Sequence, residues 1–309
     1  MFESQTLPQP GNVPCVPLQY TTTSGMFRVV GDEASLFFIP GNDRLVVTFD
    51  NLASIDEPYP RLPWLARHVV EPGYSLLGIQ SHAKDWFRQE DAPNMIRELQ
   101  DQGFFAEFQK IVFIGASMGG FGALNFAPLV PRARVLAFSP QSSMNKTVAP
   151  FEGRFTWAVR NSNWDGMPFL DAAAAIPYLP SATIVYDPFV PEDRMHAQRL
   201  AGPRVEQCKL GHASHEAVRL VIKAGAMADA VRQFTEKGHL GSPEFWQKMR
   251  DRRAQRKWCR ALVTAARNSH PRLTLDAAEG LFQKRNYLFA KQARDDILRE
   301  FPELLQRSD

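Results

Sequence analysis

Gly115-Ala116-Ser117-Met118-Gly119 sets one hydroxyl between two glycines, after the apolar run 111–114 and ahead of a segment of helical composition that Pro128 ends. A serine hydroxyl at neutral pH is a poor nucleophile. Chemistry at Ser117 therefore needs a base within hydrogen-bond reach and an acid that orients the base. With a strand before it and a helix after it, G-x-S-x-G is the pattern of a nucleophile elbow. So tight a turn strains the backbone of its central residue, at a cost of order ~1–3 kcal/mol. Side chains at 115 and 119 would collide across the turn, which accounts for the glycines. In return the hydroxyl stands clear of the sheet, and the N–H of Met118 faces the place where an oxyanion forms at a helix N-terminus. The competing reading is a glycine-rich helix start that packs on a neighbour or cradles a phosphate. It lacks the lysine of a P-loop.

The partners are sought downstream in the order serine, acid, histidine. Asp187 closes the apolar run ATIVYD and is followed by PFVP and a helical segment. This resembles the acid loop of α/β-hydrolases, where an aspartate at a strand end precedes a Val-Pro step. The next run, VEQCKL, leads into GHASHEAVRLV. Where the family shows L-P-G-A-G-H, an ungapped match to residues 210–215 puts its histidine on His215. His212, in the more familiar Gly-His pair, is the alternative base. Asp193 and Glu192 are alternative acids, although carboxylates in the first turn of a helix also have a dipole reason to be there.

Through these three motifs the chain resembles the α/β-hydrolase superfamily over about residues 26–236. The resemblance implies an esterase-like serine hydrolase that cleaves an ester, thioester or amide through an acyl-enzyme. Ser117, His215 and Asp187 form the triad, and no cofactor or metal is required. Two alternatives carry weight: an acyltransferase using the same triad, and a silent hydrolase-fold scaffold. The expected ligand is a small-molecule or acylated substrate.

The second oxyanion donor is expected after the run LVVTF, where many family members carry His-Gly and this chain has Asp50-Asn51-Leu52. Asparagine tolerates left-handed angles, so the donor is expected from the N–H of Asn51 or Leu52. A carboxylate beside an oxyanion hole repels the developing charge, so Asp50 is expected to point away. His82, Asp85, Trp86 and Arg88 follow a strand and are candidates to line the pocket. Trp157 and Trp164 either roof the site or anchor the long segment that carries them.

Short apolar runs at 44–50, 74–80, 110–115, 133–139, 182–187 and 205–210 read as strands covered on both faces. MFRVV and ASLFFIP read as two more around a tight turn. Alternation with helical segments predicts an α/β fold, a mostly parallel sheet with helices on both faces. The expected organisation is an irregular segment 1–25, a core 26–236 with a lid-like insertion at about 140–180, and a helical extension 237–309. In the extension, SPEFWQKMRDRRAQRKWCRALVTAARN reads as one long helix capped by Ser242. A following pair is partly tetratricopeptide-like, through Ala278, Leu281, Tyr287, Ala290 and Pro302. A single such repeat must dock elsewhere to bury its face.

From Ser242 onward 15 Lys and Arg stand against 9 Asp and Glu, so the tail carries +6 while the whole chain carries +3. That segment is a candidate surface for a protein or an acidic polymer, or a solvated helix face; nucleic acid is not the expected partner. Three widely spaced cysteines offer neither a disulfide framework nor a zinc spacing and fit a reducing compartment. With no secretory leader and no apolar run near ~18 residues, the expectation is a cytoplasmic chain without a membrane span.

Overall fold

The computed structural model describes residues 26–30, 34–58, 61–165 and 168–306. The irregular segment expected at 1–25 and the turn expected at 31–33 lie outside them. Eight strands form one sheet: β1 (Met26–Val30), β2 (Ala34–Ile39), β3 (Arg44–Phe49), β4 (Ser75–Ser81), β5 (Lys110–Ala116), β6 (Arg134–Phe138), β7 (Ala182–Tyr186) and β8 (Val205–Lys209). Their order is β1-β2-β4-β3-β5-β6-β7-β8. Only β2 runs against the others, pairing antiparallel with both β1 and β4. The central strands are apolar on both faces because helices cover both; Leu45, Val46, Val47 and Phe49 of β3 are all buried.

Helices α1 (Leu52–Ile55), α2 (Ala66–Val70), α3 (Asp91–Asp101), α4 (Met118–Phe126), α5 (Thr156–Arg160), α6 (Pro191–Arg199), α7 (Ala217–Lys223), α8 (Met227–Lys237) and α9 (Pro243–Lys248) complete the first of two compact units, which ends at Lys248. Phenylalanines fill much of its core. Phe49 meets Phe87 edge-on at 5.6 Å, and Phe38 meets Phe104 the same way at 5.2 Å, a geometry that the ring quadrupoles favour.

Sheet order reverses at β3, which lies between β4 and β5. Open sheets bind ligands at such a switch point, outside the carboxyl ends of the strands. The register Thr48↔Ile114 brings the ends of β3 and β5 side by side, so the 50–52 loop and Ser117 emerge at one place.

The second unit, from Met249, is helical: a 3-10 segment (Met249–Ala254), α10 (Arg256–Ala266), α11 (Pro271–Arg285) and α12 (Leu288–Glu300). The single helix expected from Ser242 is thus three pieces. Lys248, Arg252, Arg256 and Arg260 recur every fourth residue, and like charges at that spacing oppose a continuous helix. Gln255, with extended angles, starts α10 afresh. The α11–α12 pair packs as a hairpin through Asn286, which ends α11 in the left-handed region. Ala278 and Ala290 are buried. No described helix is long and apolar enough to cross a membrane.

Candidate active site

Ser117 sits at φ 51°, ψ −116°, between β5 and the first residue of α4. A Cβ on Gly115 would lie 2.0 Å from the carbonyl oxygen of Gly119, and one on Gly119 would lie 2.6 Å from that of Phe49. Both obstacles are backbone, which cannot swing aside, so the two bare positions are a steric requirement of this turn. The same closeness presses the end of β3 against the start of α4.

The Ser117 side chain is half-buried and meets His215, whose Nε2 lies 2.9 Å from Oγ. On the other side of the ring, Nδ1 lies 2.8 Å from Asp193 Oδ1. The acid beside the imidazole is therefore Asp193, the alternative, and not Asp187. Asp193 belongs to the first turn of α6 and is 2 % exposed. Asp187 instead accepts the N–H of Ser214 at 2.7 Å and that of Phe189 at 3.0 Å. It thereby ties down the loop that carries His215, in which His212 and Ser214 both have positive φ. His212 stacks on Phe189, with centroids 4.6 Å apart.

Asp193 has a further partner that the sequence did not disclose. Arg154, from the insertion, donates Nη1–H to Asp193 Oδ1 at 2.9 Å and pairs through Nη2 with Glu152 at 2.6 Å. Glu152 also receives Nε2–H of His196 at 3.0 Å, while the N–H of Ser142 donates to Nδ1 of the same ring at 3.0 Å. The backbone donor at Nδ1 fixes the tautomer. Burial holds His196 below its ordinary value, so the neutral form is the one present. Burial raises the Glu152 carboxyl, but the hydrogen bonds from His196 and Arg154 outweigh it and hold it at about 2. Asp193 is held low in the same manner, burial being overcome by His215 and Arg154.

Gln141, fully buried beyond the end of β6, also meets the serine, its Nε2 standing 3.1 Å from Oγ. Trp86 donates its indole N–H to Gln141 Oε1 at 3.0 Å. Trp86 thus stands behind the serine as a buried prop and does not line an open pocket. No periodicity or motif in the sequence marks Gln141, Glu152, Arg154 or His196.

In the second loop, Asn51 caps α1, its side chain accepting the N–H groups of Ala53 and Ser54, while its own N–H turns to Ser54 Oγ at 3.5 Å. Leu52, the first helical residue, has an N–H outside that capping box. Asp50 is buried and points to Arg61 Nη2 at 2.6 Å, also accepting the N–H of Ser81 at 3.2 Å. Burial pushes its carboxyl up to about 6 against the pull of Arg61.

The remaining candidates separate by contact. His82 Nε2 lies 3.2 Å from Ser35 Oγ. Asp85 accepts the N–H of Phe87. Arg88 donates to the carbonyls of Asn163, Pro168 and Phe169, which fastens the insertion down. Trp164 is buried with its N–H on Ser162 Oγ, an anchor; Trp157 is 47 % exposed.

One reversed strand in the order β1-β2-β4-β3-β5-β6-β7-β8, with a strained serine after β5, decides the architecture. This is the α/β-hydrolase fold. The chain is similar in structure to the capsule O-acetyltransferase of Neisseria meningitidis serogroup A, at 10 % identity and a TM-score of 0.46, over 69 % of this chain and 95 % of that one. It is similar to an esterase of Pyrococcus furiosus at 17 % identity and a TM-score of 0.46, over 73 % and 97 %. It is also similar to Est1E from Butyrivibrio proteoclasticus at 13 % identity and a TM-score of 0.45, over 69 % and 99 %. No family model and no curated protein matches the sequence.

Proposed function

We propose that the protein is a serine hydrolase that cleaves ester bonds through an acyl-enzyme, with Ser117 as nucleophile, His215 as base and Asp193 as the orienting acid. The observation that carries this reading is the continuous chain Oγ–Nε2–Nδ1–Oδ1, at 2.9 Å and 2.8 Å.

As Oγ attacks the acyl carbon, its proton passes to His215 Nε2 and the carbonyl π pair moves onto oxygen. The N–H of Met118 and that of Leu52 receive this charge. Each such donor is worth a factor of about 100–1,000 in rate. The tetrahedral adduct collapses, the leaving oxygen takes the proton from Nε2, and the acyl group stays on Ser117. A water, or another hydroxyl in a transfer reaction, then repeats the sequence in reverse. Asp193 holds Nδ1–H throughout and stabilises the imidazolium without accepting its proton. Asp50 is engaged by Arg61, so its charge is directed away from the developing oxyanion.

The test is labelling by a fluorophosphonate. Wild-type protein is expected to incorporate one equivalent, lost in Ser117→Ala, and to release p-nitrophenol from p-nitrophenyl acetate. A well-folded wild type that neither labels nor turns over would favour the scaffold reading.

A further inference from the structure

The indole of Trp86 sets the orientation of the Gln141 amide. An indole N–H only donates, so Trp86 Nε1 at 3.0 Å must face the carbonyl oxygen of the Gln141 amide. The amide edge that faces Ser117 then places the amino group 3.1 Å and the amide oxygen 3.3 Å from Oγ, the amino group being the nearer. The serine hydroxyl has two acceptors within reach of its one proton, His215 Nε2 at 2.9 Å and Gln141 Oε1 at 3.3 Å; with the proton on the shorter contact, its lone pairs remain to accept from the Gln141 amino group. Two of the three residues, and the approach to the third, are built at conformational expense. Trp86, Ser117 and Ser139, two residues before Gln141, have φ of 58°, 51° and 43° without being glycine. Such strain persists only where the surroundings over-determine it, and it gathers at functional sites. Here Asp85 Oδ1 takes the N–H of Phe87, just after Trp86, at 3.0 Å, and the N–H of Ser139 donates to the carbonyl of Val185 at 2.7 Å.

We propose that Gln141 is a catalytic hydrogen-bond donor to the nucleophile oxygen, with Trp86 as the residue that positions it. The proposal rests on Ser117 being the nucleophile. Negative charge gathers on Oγ twice in each turnover. It does so first as the Oγ–H proton leaves for His215 and the Oγ–C bond forms. It does so again when the acyl-enzyme breaks, the bonding pair returns to Oγ, and the proton comes back from Nε2. A bond from a neutral amide to a charged oxygen is roughly twice as strong as the same bond to a neutral hydroxyl. The contact therefore tightens in both transition states more than in the resting enzyme, which is the condition for a rate effect. The Met118 and Leu52 donors act on the other oxygen, that of the substrate carbonyl.

The experiment uses the full chain and two rates: second-order labelling of Ser117 by a fluorophosphonate, and release of acetate from the acetyl-enzyme made with p-nitrophenyl acetate. Gln141→Leu keeps the volume and removes the donor; both rates are expected to fall roughly 10- to 100-fold, with KM changing less than about threefold. Trp86→Phe keeps Gln141 but frees its amide to turn, and a smaller fall in both rates is expected; it carries the test if Gln141→Leu does not fold. Folded Gln141→Leu, with wild-type Tm and circular dichroism, that labels at the wild-type rate overturns the proposal. Trp86→Phe that slows neither rate overturns the positioning role. Failure of the wild type itself to label, or activity surviving in Ser117→Ala, would instead remove the nucleophile assignment beneath it.

Discussion

Arg154 reaches from the insertion to place Nη1 2.9 Å from Asp193 Oδ1, the same oxygen that receives the imidazole of His215 at 2.8 Å. A cation thus leans on the carboxylate that meets the imidazole. Glu152 offsets that cation from behind, so Arg154 and Glu152 together add no net charge. The segment between β6 and β7 therefore supplies part of the scaffold around His215.

Replacing the acid separates the two aspartates. Asp193→Asn leaves the shape but offers Nδ1–H the wrong partner, and kcat should fall by about 10,000-fold. Asp187→Ala should instead loosen the 210–216 loop. It should lower Tm and reduce kcat by roughly tenfold or less, since its bonds go to backbone N–H groups. Ester turnover and thermal melts of the two variants give the comparison. Equal losses of kcat at unchanged Tm would return the acid to Asp187.

Acid stability should follow the buried carboxylates. Glu152 is held at about 2 and Asp193 is also depressed. The folded state therefore releases these protons more readily than the unfolded chain does. Their contribution is complete above the ordinary carboxylate range near ~4 and is lost as pH falls toward about 2. In Glu152→Gln the slope of Tm against pH between about 4.5 and 2 should flatten. A slope unchanged from wild type would mean that the Glu152–Arg154–His196 network contributes nothing to acid stability.

Much of this molecule could be read from the chain because each central strand is a short apolar run bounded by turn residues, and because the elbow combines a motif with a steric demand. Gly115 and Gly119 announce their crowding in the sequence itself. The choice between Asp187 and Asp193 could not be read. Both stand near the end of β7, and only the direction in which the first turn of α6 projects its side chain decides between them. Gln141, Glu152 and Arg154 were invisible for another reason. They lie in a segment without periodicity and meet partners 24, 44 and 39 residues away, so no local pattern encodes the contact. The single long tail helix failed because composition favoured it while the spacing of its charges did not.

The two histidines of the 210–216 loop make opposite predictions. His212 gives up its stacking on Phe189 when truncated, an aromatic contact worth about 0.5–1.5 kcal/mol. His212→Ala should therefore keep kcat within about threefold and lower Tm slightly. His215→Ala removes the base and should reduce kcat by at least about 1,000-fold. Single-turnover fluorophosphonate labelling reads both, and a dead His212→Ala beside an active His215→Ala would displace the base by three residues.

Asp50 offers the sharpest test of how the 50–52 loop is held. Its carboxylate and Arg61 are both nearly excluded from solvent, at 1 % and 6 % exposure, and lie 2.6 Å apart. Removing one partner takes the opposite charge away from the other inside the protein, which costs about 3–5 kcal/mol. Asp50→Ala should therefore lower Tm by roughly 10 °C when measured at pH 7.5, above the value of about 6 to which burial raises this carboxyl. Replacing both partners with apolar residues, Asp50→Leu with Arg61→Met, removes both charges and should recover most of the loss. The same double variant should keep the rate of fluorophosphonate labelling within about tenfold, because the N–H groups of Leu52 and Met118 belong to the backbone. If the double variant recovers its Tm yet labels no faster than Ser117→Ala, the Asp50 carboxylate takes part in the chemistry and does more than hold the loop.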